Sequence, residues 1–272
     1  MNRLRSLGLL ILFIAIYLAM LAAAGAVVPR QNMLTSTLVV LAAAVLAGSF
    51  LLVVVERRPW RELGLALRSQ TGREWLVGWL LPCAALLIVA LSLLLSGALR
   101  YQTDSGTWPG WLLGSAQLLL ALAIPAAAEE ALFRGYPFQK LVAAIGPVFA
   151  TLLASAGFAW AHRHNPGVGA FALINIFVAG VMLSMAYLRT RSLWFPTAVH
   201  LGWNWQMAGP LDLPVSGLEL FDTPLYEPRD LGTPWLTGGT FGPEGGLAGL
   251  IALLLLTAAV WVYTGRNYQS ND

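Results

Sequence analysis

The sequence predicts an all-α integral membrane protein: about eight transmembrane helices in one polytopic bundle, with the N- and C-termini cytoplasmic. Composition is the first reason. Hydrophobic residues make up 58% of the 272-residue chain and charged residues only 11%, where a soluble domain is about a quarter charged. Mean hydropathy is +0.70. The second reason is length: apolar runs of about 18 residues or more recur, each able to cross a hydrocarbon core of about 30 Å. The third is the distribution of arginine, which gathers on one side of the proposed spans.

Eight hydrophobic segments can be read, at about 7–28, 34–55, 75–98, 111–142, 146–163, 167–188, 193–209 and 246–264. Arg3 and Arg5 precede the first. Its apolar run exceeds the roughly 7–15 residues of a signal-peptide core, so it is read as a retained span. With the N-terminus inside, the cytoplasmic basic set is Arg3, Arg5, Arg57, Arg58, Arg61, Arg68, Arg73, Arg134, Lys140, Arg189, Arg191 and Arg266. Only Arg30, Arg100, Arg163 and Arg229 fall outside. This bias accounts for the net charge of +3 without a nucleic-acid partner; the partner implied is the lipid bilayer. The Arg-rich stretch from Glu56 to Glu74 reads as an amphipathic segment lying on the inner leaflet.

The fourth segment is too long for one straight span, because 32 helical residues reach about 48 Å. Pro125 near its middle is expected to kink it. The turn at Ile145-Gly146-Pro147 leads into the fifth segment. Residues 210–245 are rich in Gly and Pro and carry six carboxylates, Asp212, Glu219, Asp222, Glu227, Asp230 and Glu244. That stretch is read as a long extracytoplasmic loop. No internal repeat or separate soluble domain is found, so residues 1–272 form a single polytopic membrane domain. The one cysteine, Cys83, excludes an internal disulfide and reads as a packing residue.

Chemistry concentrates where charge should be scarce. Glu129 and Glu130 interrupt Ala126-Ala127-Ala128 and Ala131-Leu132-Phe133, and a charge at membrane depth costs about 2.5 kcal/mol or more on insertion scales. Glu130 and Arg134 are four apart and share a helix face, as an ion pair would. Glu129 points about 100° away and needs another partner. His162 is the candidate, because counting from the turn at Gly146 brings both to similar depth. Phe158 lies one turn before His162 on the same face. His200 and Asn204, again four apart, can aim their donors at one point. Trp203 and Trp205 read as packing or interface anchors, and His164 as an exposed loop residue.

Glu129-Glu130-x-x-x-Arg134, Phe158-x-x-x-His162 and His200-x-x-x-Asn204 together resemble the three-motif signature of the CPBP family. That family comprises CAAX prenyl endopeptidases of the Ras-converting type and bacterial relatives often called Abi proteins. The motifs occur in order on successive apolar segments, making residues 111–209 the catalytic-motif core. The resemblance implies an intramembrane endopeptidase of glutamic type, acting on a membrane-anchored or C-terminal peptide substrate. Glu129 would be the general base, holding one water with His162. His200 and Asn204 would donate to the oxyanion, and Glu130, Arg134 and Phe158 would support the site. No cofactor is favoured.

Three alternatives stay open at this point. Glu129, His162 and His200 make a two-histidine, one-carboxylate set that could hold zinc. Against zinc, there is no His-Glu-x-x-His helix and Asn204 would have no task. A transporter using Glu129 and His162 as a proton relay lacks the internal repeat such folds usually show. An acyl-transfer or bacteriocin-immunity membrane protein would share the motifs without proteolysis. The Arg- and Ala-rich composition points to a bacterial inner membrane. The positive-inside topology puts Glu129 and His162 in the outer half of the bilayer, whereas the resemblance implies work on cytosolic C-termini.

Overall fold

A computed structural model describes residues 2–27 and 32–268. Arg30, assigned above to the outer basic set, lies outside the described residues, as do residues 269–272 of the C-terminus expected in the cytoplasm. The architecture is helical, with one two-stranded sheet. The helices are α1 (Arg3–Val27), α2 (Met33–Phe50), α3 (Thr71–Leu95), α4 (Trp108–Phe133), α5 (Tyr136–Ile145), α6 (Pro147–Ala161), α7 (Ala170–Thr190), α8 (Trp194–Ala208), the single turn α9 (Pro234–Thr237) and α10 (Leu247–Tyr268). Strand β1 (Leu99–Thr103) pairs antiparallel with β2 (Tyr226–Asp230), Leu99 opposite Asp230.

Six helical stretches are long and apolar enough to cross a membrane: α1, residues 34–55, α3, residues 108–145, α7 and α10. Helices α6 and α8 have 15 residues each, about 22 Å at 1.5 Å per residue. The outer face of the bundle is what lipid requires: Leu95, Leu120, Val148 and Phe149 are each more than 60% exposed. The match below and these six helices support an integral membrane protein.

The core is built between helices that small residues allow to approach. The largest apolar cluster joins α3, α4, α7, α8 and α10, around Leu86, Leu122, Leu183, Phe195, Met207 and Leu256. A Cβ on Gly202 of α8 would meet the Trp79 carbonyl of α3 at 2.6 Å, so only glycine lets those backbones pack this closely. A second cluster joins α1, α2 and α5 around Phe13, Leu51 and Tyr136.

Four sequence expectations change. The fourth segment stays helical through Pro125, which neighbouring helices tolerate in an apolar bundle, and breaks at Arg134-Gly135. At Gly135 a Cβ would collide with the Ala131 carbonyl, and the following Tyr136-Pro137 puts proline at the start of α5, where its missing N–H is harmless. The Glu56–Glu74 stretch takes a largely irregular form: α2 ends in a π-helical turn (Leu51–Val55), followed by a short 3-10 turn (Trp60–Leu63), and α3 begins at Thr71. Glu74 is buried there, accepting from Ser192 Oγ at 2.6 Å and Tyr268 OH at 2.9 Å. Arg134 and Lys140, counted above in the cytoplasmic basic set, are buried. Lastly, residues 210–246 fold back onto the bundle through β2 and two 3-10 turns, burying Phe241 and Glu244.

Candidate active site

The alanines preceding Glu129 do two things. They are the best helix formers, and Ala126 and Ala128 are small enough to bury fully where α4 meets its neighbours. The glutamates therefore enter the bundle on a tightly packed helix. Glu130 is fully buried and pairs with Arg134 at 3.1 Å. The Arg134 guanidinium also donates to the Gly180 carbonyl of α7 at 3.1 Å and lies over the Phe158 ring at 4.5 Å. Breaking the helix at Gly135 is what frees this side chain to turn inward.

His200 sits between the two glutamates, a contact between residues 70 apart that the sequence reading lacked. Its Nδ1 is 3.0 Å from Glu130 Oε1, and its Nε2 is 3.8 Å from Glu129 Oε2. Since a carboxylate only accepts, Nδ1–H is the donor and Nε2 is the atom left facing Glu129. Glu129 itself is 35% exposed, and its Oε2 is enclosed without a hydrogen-bond partner.

His162 caps the end of α6. Its Nδ1–H donates to the Phe158 carbonyl at 2.8 Å, so in the neutral ring Nε2 carries the free lone pair. The Phe158 ring contacts both histidines, at 4.8 Å from His162 and 6.0 Å, edge-on, from His200. One aromatic ring thus holds Arg134, His162 and His200 in mutual register. Asn204, one turn after His200 on α8, is half-buried.

Glu129, Phe158, His162, His200 and Asn204 all line one cavity of about 390 Å³. Its wall also carries apolar side chains, including Tyr17 of α1, Val40 of α2, Leu122 of α4 and Ile176 of α7. Glu129 and His162 reach it by a different route from the depth count, because the chain between them turns twice, at Gly135 and Gly146. The histidine in contact with Glu129 is His200, with Nε2 3.8 Å from Oε2. Residues 215–220 and Glu244 also line the cavity. No periodicity marks them, and the sequence offers no signal that would have found them. His164 is exposed and outside the cavity.

A zinc site asks for ligands at about 2.0–2.2 Å from one point. Among the described residues, no three His, Cys, Asp or Glu side chains gather closely enough to hold a metal ion. Glu129, His162 and His200 share the cavity.

Part of the sequence has a counterpart among known protein families. Residues 111–206 match the family model for Type II CAAX prenyl endopeptidase Rce1-like. The match runs from the first turns of α4 almost to the end of α8 and includes Glu129, Glu130, Arg134, Phe158, His162, His200 and Asn204. A search of curated proteins gives no match. The Rce1-like match supports an endopeptidase of the CAAX-protease type, acting at a lipid bilayer on a membrane-associated substrate.

Proposed function

We propose that this chain is a metal-free intramembrane endopeptidase that hydrolyses a peptide bond of a membrane-anchored or C-terminal substrate. The observation that carries this reading is the His200 ring held between Glu130 and Glu129 at the edge of a cavity shared with His162 and Asn204. A water between Glu129 and His162 Nε2 would lose a proton to Glu129 as its oxygen attacks the scissile carbonyl carbon. The oxyanion then accepts from Asn204 Nδ2 and from protonated His200 Nε2, whose ring Glu130 orients. As the C–N bond breaks, Glu129 returns its proton to the leaving amine. Glu130 and Arg134 form the support, with Phe158 as the packing piece between them.

In the membrane we assign eight crossings, the two shorter ones being α6 and α8, with both termini cytoplasmic in a bacterial inner membrane. The sorting of charge along the bundle supports it: Arg68 donates to the carbonyls of Thr190 and Arg191 at one end, whereas Arg100 and Arg229 lie on β1 and β2 at the other.

The test is cleavage of a farnesylated Cys-Ala-Ala-X peptide, and of unmodified membrane-anchored peptides, by purified protein in vesicles after exhaustive chelation. Cleavage that survives chelation is expected. Absence of cleavage of every peptide overturns the endopeptidase. Stoichiometric zinc in the wild type, lost in His200→Ala, overturns the metal-free site.

A further inference from the structure

The cavity has a wall that the three motifs do not supply. It is the turn Val215-Ser216-Gly217-Leu218, with Leu220 just beyond. Val215 and Leu218 exchange backbone hydrogen bonds at 2.9 Å, and both central residues have positive φ, 50° at Ser216 and 80° at Gly217. Glycine suits the second position, where a Cβ would collide with the Pro166 carbonyl. Serine does not suit the first: a non-glycine residue in the left-handed region is strained and persists only when its surroundings over-determine it.

Those surroundings are one carboxylate. Glu244 Oε2 accepts from Ser216 N at 2.7 Å and from Ser216 Oγ at 2.6 Å. Its other oxygen accepts from Trp203 Nε1 at 2.8 Å, the residue next to Asn204 on α8. Its main-chain carbonyl accepts from Asn175 of α7 at 2.8 Å. Glu244 is 8% exposed, and three donors converge on its carboxylate, which as an acceptor-only group suits them all. Asn165, three residues after His162, donates to the Ser216 carbonyl at 3.0 Å and closes the turn from the other side.

We propose that Glu244 is a positioning residue of this site: it holds the strained turn at 215–218 as a wall of the catalytic cavity and ties that wall to the turn of α8 bearing Asn204. The inference rests on the endopeptidase reading for its consequence, which is that Val215, Leu218 and Leu220 form the apolar surface against which substrate residues flanking the scissile bond pack. Gln is nearly the same shape, but its amide cannot accept from both Ser216 donors and Trp203 at once. Glu244→Gln therefore releases the wall without leaving a cavity.

The experiment needs no substrate for its first two readings. Hydrogen exchange on the purified protein should show the amides of 215–218 exchanging at least tenfold faster in Glu244→Gln, with α4 and α8 unchanged. In a Cys83→Ala background, a cysteine replacing cavity-lining Ala179 should react with a maleimide at least tenfold faster once Glu244→Gln is added. Ser216→Ala, which keeps the backbone bond to Glu244, should fall between. With a cleavable peptide, Glu244→Gln should raise KM severalfold while kcat falls less than threefold. Unchanged exchange and labelling overturn the proposal and leave the endopeptidase standing. Uniformly faster exchange across the bundle also overturns it, since Glu244 would then only stabilise the fold. Loss of cleavage in the wild type bears on the endopeptidase alone.

Discussion

Two buried ionic clusters lie in this bundle, and they are built differently. At the end of α2, Lys140 of α5 reaches both oxygens of Glu56, at 2.6 and 2.7 Å, while Tyr136 OH donates to the same carboxylate at 2.7 Å. The ammonium also lies 4.8 Å from the centre of the Tyr136 ring. At and behind the cavity wall, Glu130, Arg134 and His200 also form a chain of contacts, yet Glu129 Oε2, Glu130 Oε2 and Arg134 Nε are enclosed without a hydrogen-bond partner. No oxygen or nitrogen of Glu56, Lys140 or Tyr136 is left that way. Buried polar atoms are normally satisfied, and those that are not call for an explanation such as catalysis or water. The saturated cluster is a pin between helices. In the unsaturated one, Glu129 faces the cavity, and its Oε2 keeps bonding capacity for something that enters there.

The sharpest way to break this comparison is to cut each cluster once. Arg134→Ala and Lys140→Ala each strand a buried carboxylate, which costs about 3–5 kcal/mol. Both variants should unfold at lower denaturant concentration by that amount. They part in activity: Arg134→Ala should lose turnover per folded molecule, and Lys140→Ala should keep it within about twofold. Loss of turnover in both would show that the pin is also part of the site.

Glu129 sharpens the contrast from the other side. It is partly exposed and its Oε2 has no partner to lose, so Glu129→Gln should leave melting temperature nearly unchanged. As general base its removal should lower turnover by about 10²-fold or more. A variant that keeps more than a tenth of wild-type turnover would remove Glu129 from the mechanism.

A smaller effect belongs to Asn204, whose side chain makes no hydrogen bond among the described residues and which shares a helix face with His200. Asn204→Ala should lower kcat by about 10²-fold with KM little changed, because an oxyanion donor acts as charge develops. Combining it with His200→Ala should cost less than the sum of the two in free energy, since both donors meet one atom. Strict additivity, measured by steady-state kinetics on the two singles and the double, would place them on different steps.

What could be read from the sequence followed from helical periodicity. Residues four apart share a face, so Glu130 with Arg134, Phe158 with His162, and His200 with Asn204 could be paired before any coordinates. Apolar runs likewise located every long helix. Contacts between helices carry no such period. The Glu130–His200 bond joins residues on α4 and α8, and its existence depends on Gly202 letting α8 approach α3 and on Gly135 ending α4. Gly135 followed by proline was a legible stop signal, and Pro125 drew attention away from it. The wall at 215–218 and its Glu244 anchor have no such signature, because the hydrogen bonds that join them link residues far apart in sequence with no period.

The smallest predicted effect lies at the opposite end from the Glu56–Lys140 pin, where carboxylates gather and Arg229 pairs with Glu227 alone among them, at 2.8 Å. Asp212, with a left-handed φ of 51°, lines a cavity of about 750 Å³ with Glu219, Asp222, Glu227 and Asp230. Burial raises its carboxyl to about 6, opposed by a hydrogen bond from Thr223 N and reinforced by Asp222, Glu227 and Glu219. Its unfolded value is 3.8, so between about 4 and 6 the folded protein binds more protons than the unfolded one. The contribution is therefore fully present below the unfolded value and is lost as pH rises through about 6. Asp212→Asn removes that dependence. Relative to wild type, the variant should gain on the order of 2 °C in melting temperature between pH 4 and pH 6.5, a modest shift because Asp212 is only half-buried and solvent screens it. Melting curves of both proteins across that range provide the check, and the difference cancels every other titrating group that the two share. Lys140→Ala measured alongside should show no such slope in its difference from Lys140→Ala combined with Asp212→Asn beyond that of Asp212 itself, as sites this far apart add independently. A slope that changes when the pin is cut would mean that the two ends of the bundle are coupled.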